Sequence, residues 1–510
     1  MAEGTLSFAA YRDKVRGCWD GKNIGGTLGA PFECLRGVFD IDGYTQELGG
    51  DPLPNDDLDL QLVWLHAAEA YGSRVNAQIL GEYWHWFVTP HWAEYGTGRN
   101  NMRAGLLPPL SGHFHNRFKD SCGAFILSEI WACLAPGHPD IAARYAFEDA
   151  SVNHADEGLY AEVFCAAVES AAFVVSDTDT LIDIGLSYIP RDCGVARGVR
   201  SVRQSFANGK NWKEARKQLL IEVPGSFGAM GTPREAMDPD IPVGETGYDA
   251  PSNIGIILIG WLYGRGDFGR SLCIAAGCGE DADCTAGTLG AILGILQGGG
   301  ALPARWLEPL GGKIKTKCIN IADVGLRIPA TVEELTERIL RLTPQFLGSG
   351  LCDVLAGPGY TVKVLPAADM PCREYGKNAF FRTSFFKEVL DRSPYIVREE
   401  FILFDALLDY GGEPFIRAGE GRRIRVILEN RFQMQQWIQV KWHLPACWSV
   451  SPSPELSGPL ESYYCNLGRL EWEFILTAEM LARDRADLVV ELTSVGHHSK
   501  GFLPVVLFAR

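Results

Sequence analysis

The sequence predicts a multi-domain chain, with an all-α domain followed by a C-terminal β-sandwich. Three observations lead to this reading. The 510 residues exceed what a single core usually serves, since domains of about 100–200 residues are the norm. From about residue 7 to residue 345, apolar residues recur at helical spacings and strand alternation is almost absent. After residue 351 the pattern changes to apolar and polar residues in alternation, with turn signals between the runs. A hydrophobic content of 46% against 22% charged residues is globular composition and excludes a disordered or low-complexity chain.

In the first part, residues 59–71, 126–134, 158–175, 253–262 and 286–297 read as helices. Gly287, Gly290 and Gly294 fall three and four residues apart, a spacing that lets helix backbones approach closely. A mid-helix glycine costs about 1 kcal/mol against alanine, so close packing has to compensate. The run YWHWFVTPHWAEYGTGRNNMR, residues 83–103, is rich in aromatic residues and ends in Gly96, Gly98, Arg99, Asn100 and Asn101. It fits either an aromatic core patch before an ordinary turn or a platform that stacks a base or sugar, with Arg99 and Asn100 on a loop that binds phosphate or hydroxyls. The Pro/Gly-rich stretch at residues 223–253 forbids regular structure and is either a functional loop or a surface insertion. In the last part, Ile424, Val426 and Leu428, then Ile438, Val440, Trp442 and Leu444, alternate with polar residues. The expected domains are therefore a helical domain over 1–350, a connector over 351–394 and an immunoglobulin-like sandwich over 395–510, without the Cys–Trp–Cys signature of a true immunoglobulin.

Forty-seven Lys and Arg against 63 Asp and Glu leave a formal charge of −16, so the overall field repels polyanions and argues against nucleic acid as a partner. Excess carboxylates are also what a divalent-cation site requires. The N-terminus carries charges where a secretory segment has its apolar stretch, and the longest apolar run, residues 254–263, is too short to span a membrane. The expectation is a cytoplasmic protein without a membrane partner. Fourteen cysteines with no CxxC pair and no zinc spacing read as reduced, buried thiols. The oligomeric state stays open, a homo-oligomer included.

Two acidic clusters stand at the entrances of apolar helices, Asn55, Asp56 and Asp57 before LDLQLVWLHAAEAYG, and Asp281 and Asp283 within GEDADCTAG. Helix capping alone explains either one, because carboxylates are favoured at the positive end of the helix dipole. The second cluster, however, is embedded in Gly, Ala and Cys, where burying two carboxylates without a cation is costly. Hard oxygen ligands without a zinc pattern point to Mg²⁺, Mn²⁺ or Ca²⁺, and these four aspartates with one more carboxylate suffice for two ions. Glu33, at the end of the glycine-rich GCWDGKNIGGTLGAPFEC, is the fifth candidate. The nucleophile elbow GxSxG, the zinc motif HExxH and the phosphate loop GxxxxGK[ST] do not occur.

Three motifs in this order resemble the ADP-ribosylglycohydrolase family, of the dinitrogenase-reductase activating glycohydrolase type. The GxxxGxxLGAPFE segment resembles the family's opening helix and its glutamate, NDD at 55–57 its Thr/Ser-Asp-Asp, and GEDADCTAGTLGAILG its GGDTDTxAAxxGAxxG, over roughly residues 10–310. The resemblance implies an all-helical domain that binds two Mg²⁺ in a cleft, with Mn²⁺ as the other suitable ion, and hydrolyses a bond at the anomeric carbon of ADP-ribose. Carried over by position, the metal ligands are Glu33, Asn55, Asp56, Asp57, Asp281, Asp283 and Cys284, and the catalytic carboxylates Glu33, Asp56 and Asp57. Asn55 and Cys284 stand where the family has threonine, and Leu58 where a threonine commonly follows the first Asp pair. His154 and Asp156 occupy the place of a Thr-His-Gly segment that lines the site, and Tyr248 a position near the substrate; helix capping accounts for His154 and Asp156 equally well.

The implied reaction is metal-assisted hydrolysis of an N- or O-glycosidic bond of ADP-ribose or a related ribofuranosyl group. Glu33, or an aspartate free of metal, would act as general base against an oxocarbenium-like transition state. The substrate is a small-molecule glycoside or an ADP-ribosylated molecule. Two other readings stand beside it. One is a glycosidase of simple sugar glycosides, which a C-terminal β-sandwich favours. The other is a catalytically inactive ADP-ribose-binding module, which Asn55 and Cys284 favour and the four intact aspartates oppose.

Overall fold

The computed structural model describes residues 4–320, 326–354, 359–372, 393–430, 434–462, 468–498 and 500–510. The chain divides into two compact units, Met1–Thr383 and Ser384–Arg510. No described helix is long and apolar enough to cross a membrane, and every described cysteine is a free thiol.

The first unit is helical. The helices that carry or flank the acidic residues are α1 (Phe8–Gly29), α2 (Asp56–Tyr71), α3 (Ala77–Phe87), α4 (Ala93–Arg103), α5 (Ser128–Leu134), α6 (Asp156–Ala172), α7 (Ala250–Gly264) and α8 (Ala282–Gln297). α2, α6 and α8 begin at or next to an acidic residue and so extend a few residues N-terminal to their periodic apolar stretches, as carboxylates at the positive helix end favour. Three short strands, β1 (Thr5–Ser7), β2 (Cys352–Asp353) and β3 (Thr361–Lys363), form an antiparallel sheet in the order β1-β3-β2. The first part of the expected connector thus pairs with the chain's N-terminal segment. Residues 373–392 of that connector lie outside the described residues.

The contact between α1 and α8 positions the site. Glycines recur every four residues along α1 and face the backbone of α8. A Cβ on Gly17 would fall 2.2 Å from the Gly294 carbonyl oxygen, on Gly21 2.0 Å from that of Gly290, on Gly25 2.0 Å from that of Ala286, and on Gly29 2.2 Å from that of Ala282. Only glycine permits this approach, and the pairing runs antiparallel, so the end of α1 lies against the start of α8.

The second unit contains two five-stranded sheets. The strands are β4 (Ile396–Glu400), β5 (Phe404–Asp409), β6 (Phe415–Ile416), β7 (Gly421–Asn430), β8 (Gln436–His443), β9 (Trp448–Ser451), β10 (Glu455–Leu460), β11 (Arg469–Ala478), β12 (Arg485–Ser494) and β13 (Lys500–Ala509). One sheet has the order β10-β8-β12-β13-β6 and the other β4-β5-β7-β11-β9. All pairings are antiparallel except β13 with β6. Ile424, Val426 and Leu428 of one sheet and Ile438, Val440 and Trp442 of the other share one buried core, as their alternation requires.

Candidate active site

The end of α1 and the start of α8 are joined by backbone. The Cys34 N–H donates to the Glu280 carbonyl (3.0 Å) and the Glu280 N–H to that of Leu35 (2.8 Å). Cys34 (φ 62°) and Glu280 (φ 63°) are both in the left-handed region, a strain of about 1–2 kcal/mol per residue that the surroundings must hold. The Arg36 guanidinium does part of this, donating to both Glu280 carboxylate oxygens at 2.7 and 3.0 Å. Next to this bridge, ligand oxygens of Glu33, Asp281 and Asp283 lie within 4.8 Å of one another.

Asn55 connects α2 to the same place. Its Oδ1 caps the helix by accepting from the Asp57 N–H (2.7 Å), and its Nδ2 donates to Asp283 Oδ2 (3.1 Å). Both ends of the amide are satisfied only in this orientation. Asp57 is buried, with the Cys284 thiol donating to its Oδ1 (3.4 Å) and the Lys22 ammonium 3.4 Å from its Oδ2. Asp56 is more exposed; the Tyr95 hydroxyl from α4 donates to its Oδ2 (3.1 Å), and the Lys317 ammonium is 3.5 Å from its Oδ1. Asp59, one turn into α2, accepts from the backbone N–H groups of Lys317 (2.6 Å) and Cys318 (2.7 Å), which fixes that segment beside the cluster.

Concentrated negative charge in a buried place shows in the acidities. Burial, with further upward pressure from Asp283 and Asp56 and opposed by Lys22, raises the Asp57 carboxyl to about 8. Burial, then Glu33 and Asp56, raises Asp283 to about 7. Burial and Asp283 hold Asp281 well above the ordinary carboxylate range, and burial and Asp56 raise Glu33, which lies at the exposed rim. Burial by itself would lower the Lys22 ammonium, but Glu129 and Asp57 outweigh it and the net shift is upward.

Asp281 Oδ1 and Asp283 Oδ1 are buried without a hydrogen-bond partner. Buried, unpartnered carboxylate oxygens beside a third carboxylate fit a hard divalent cation. A second set of ligand atoms, from Asp57, Asp283 and Cys284, is equally close together.

The other expected residues are placed differently. His154 is fully buried; its Nδ1 is 2.8 Å from Asn153 Oδ1, and its Nε2 lies 3.0 Å from the Ser121 hydroxyl and 3.9 Å from Glu94 Oε1. Burial lowers it to about 3, so the ring is neutral. Asp156 opens α6 at the surface and pairs with Lys119 (2.6 Å). Tyr248 is half-buried, and its hydroxyl accepts from Arg197 (3.4 Å).

Residues 96–101 correct the loop expectation, for they form the body of α4. Arg99 is buried and its guanidinium donates to the carbonyls of Trp84 and Val88, while Asn100 lies on the exposed face of the helix. The glycines there mark close packing rather than a turn: a Cβ on Gly96 would meet the His91 carbonyl at 2.4 Å, and one on Gly98 the Asn153 Cβ at 2.6 Å. The long 223–253 loop, by contrast, does reach the cluster. Its Gly228 N–H donates to Glu280 (3.1 Å), while the last four residues of that stretch correct the expectation of irregular structure by opening α7, where Asn253 Oδ1 accepts from the Asp281 N–H (3.2 Å).

Sequence reasoning missed Lys22, Tyr95, Asn253 and Lys317. For Lys22 a signal existed, because a charge between Gly21 and Gly25 in a closely packed glycine helix has to be buried and therefore paired. The others depend on which segments meet in space.

No curated protein matches the chain. Among solved structures, a chain described as an ADP-ribosylglycohydrolase-related protein complex aligns at 19% identity and a TM-score of 0.44, covering 66% of this chain and 100% of that one. A family model described as ADP-ribosylglycohydrolase matches residues 7–345, which include α1, α2, α8 and all the acidic residues above. The chain belongs to the ADP-ribosylglycohydrolase family.

Proposed function

We propose that the chain is a divalent-metal-dependent glycohydrolase that cleaves an N- or O-glycosidic bond at the anomeric carbon of ADP-ribose or a related ribofuranosyl group. The observation that carries this reading is the convergence of Glu33, Asp281 and Asp283 within 4.8 Å, with buried oxygens of both aspartates unpartnered. The order of Glu33, the Asn-Asp-Asp segment and the Asp281–Asp283 pair supports the dinitrogenase-reductase activating glycohydrolase type.

Glu33, Asp281 and Asp283 would hold Mg²⁺ or Mn²⁺. Such an ion, when bound, orients a vicinal diol and lowers the pKa of water. Asp56 is the general base: it is the more exposed member of the α2 pair, and the Tyr95 hydroxyl and Lys317 ammonium hold its two oxygens in place. It accepts the proton of the attacking water. The carboxylates around it provide a fixed negative field that favours positive charge developing at the anomeric carbon. Asp57 is a positioning residue, since it is buried, the Cys284 thiol donates to its Oδ1 and the Lys22 ammonium faces its Oδ2 at 3.4 Å. The buried, neutral His154 likewise acts through Ser121 and Glu94.

The test offers ADP-ribosylated protein, O-acetyl-ADP-ribose and simple ribofuranosides and pyranosides, with and without Mg²⁺ or Mn²⁺. Ion-dependent release of ADP-ribose or ribose by the wild type, absent in Asp281→Ala, is the expected result. Cleavage of simple glycosides alone would redirect the reading to sugar metabolism. Tight ADP-ribose binding without turnover would make the domain a binding module.

A further inference from the structure

The two ligand sets share Asp283 but differ in chemistry. Glu33, Asp281 and Asp283 are all hard carboxylates, and Asp281 Oδ1 and Asp283 Oδ1 have no partner. On the other side, hydrogen donors already face the oxygens a second ion would need. The Cys284 thiol donates to Asp57 Oδ1 and the Asn55 amide to Asp283 Oδ2, while Asp57 Oδ2 accepts no hydrogen bond but already faces the Lys22 ammonium at 3.4 Å, a charge that neither unpartnered oxygen of the first set meets as closely. A thiol is in addition a poor ligand for a hard cation.

Lys22 is built into this position. It is 1% exposed, 2.8 Å from Glu129 Oε1, and donates to the Ile126 carbonyl (3.0 Å) and the Thr288 hydroxyl (3.3 Å). Its Cα belongs to α1 between Gly21 and Gly25, whose backbone is locked against α8. The ammonium is thus anchored beside Asp57 by Glu129, the Ile126 carbonyl and the Thr288 hydroxyl, and a small pocket next to it is lined by Lys22, Gly26, Asn55, Asp57 and Lys315. A divalent ion among Asp57, Asp283 and Cys284 would face a fixed positive charge at close range.

We propose that this chain holds one divalent ion, between Glu33, Asp281 and Asp283, and that the Lys22 ammonium permanently takes the place of a second ion beside Asp57. This rests on the metal-site reading above and specifies it. Lys22 supplies charge there without exchange with solvent and positions Asp57, so the half of the site on α2 is assembled whether or not metal is present.

The test is a Mn²⁺ titration of the metal-free full-length protein, with bound metal counted by elemental analysis after gel filtration and its state read by electron paramagnetic resonance. The expected result for the wild type is one Mn²⁺ per chain with the hyperfine-split signal of an isolated ion. Asp283→Asn is expected to lose it. Lys22→Met is expected to take up a second Mn²⁺ and to give the broadened signal of a spin-coupled pair. Two coupled ions in the wild type would overturn the inference and leave the hydrolase reading intact. No bound ion in the wild type would overturn both, and an unchanged single ion in folded Lys22→Met would remove the role given to Lys22. Where Lys22→Met fails to fold, the wild-type count and signal decide.

Discussion

Asn55 shows how much a single side chain settles in this site. Its carbonyl oxygen caps α2 and its amide nitrogen neutralises part of Asp283, so it connects two motifs without contributing a free oxygen to an ion. Asn55→Ala removes both bonds. Loss of the cap alone is worth about 1 kcal/mol, and Asp283 also loses a donor. The expected outcome in chemical denaturation is a destabilisation of about 1–3 kcal/mol, with Mn²⁺ binding at Asp283 altered in the same variant. The acidic half of this arrangement was legible in the sequence, since paired carboxylates among small residues at helix starts are costly to bury apart, and the structure brings Glu33, Asp281 and Asp283 together. The basic and hydroxyl half was not. Lys317 and Tyr95 reach Asp56 from segments far away in the chain, and no spacing in the sequence encodes that meeting. Arg99 and Asn100 were misplaced for a related reason: glycine signals a turn and close helix packing in the same letters, and in α4 packing is what it serves.

At the scale of elements, the four glycines of α1 that face α8 and the small residues of α8 form one device. The spacing of Gly287, Gly290 and Gly294 announced a close helix contact, and the partner is α1 through Gly17, Gly21, Gly25 and Gly29. Gly287 itself faces less crowded space, its nearest neighbour for a Cβ being the Lys22 side chain at 3.4 Å. Gly21→Ala places a methyl 2.0 Å from the Gly290 carbonyl oxygen, so the helices must separate. Overpacking of this kind costs about 1–3 kcal/mol. Because Glu33 and Asp281 are held by the same contact, Gly21→Ala is expected to lower the melting temperature and weaken metal binding together. Gly43→Ala, where a Cβ meets nothing within 4 Å, is the control expected to change neither. In the β unit the alternation told which residues face inward, but strand order depends on non-local pairing and had no signature in the sequence.

At the scale of the whole molecule, buried carboxylates set the response to pH. Burial raises Asp149 to about 8 and Asp283 to about 7, against 3.8 for an ordinary aspartate. The folded metal-free protein thus binds protons that the unfolded chain has released. The stability associated with these protonated forms is complete below 3.8 and is lost as the pH rises towards about 8. The metal-free protein is expected to melt at a lower temperature near pH 8 than near pH 5. Saturating Mg²⁺ is expected to reduce the difference, because a bound cation favours ionised Asp283 and Asp281. A scan of melting temperature against pH, with chelator and with Mg²⁺, checks this; a metal-free protein that gains stability towards pH 8 would contradict the burial of these groups.

The backbone contact between α1 and α8 also governs which changes of length the chain can absorb. With the glycines meshed like the teeth of a rack, removing one residue between Gly17 and Gly29 would turn everything beyond it by about 100° and shift it about 1.5 Å along the axis. Glu33 would then leave the aspartates although every ligand was still present. The surface loops between α2 and α8 have no such mesh to preserve, because lengthening a surface loop costs little. Tolerance to insertion and deletion should therefore be sharply uneven, near zero inside the two meshed helices and generous at the loop tips between α2 and α8.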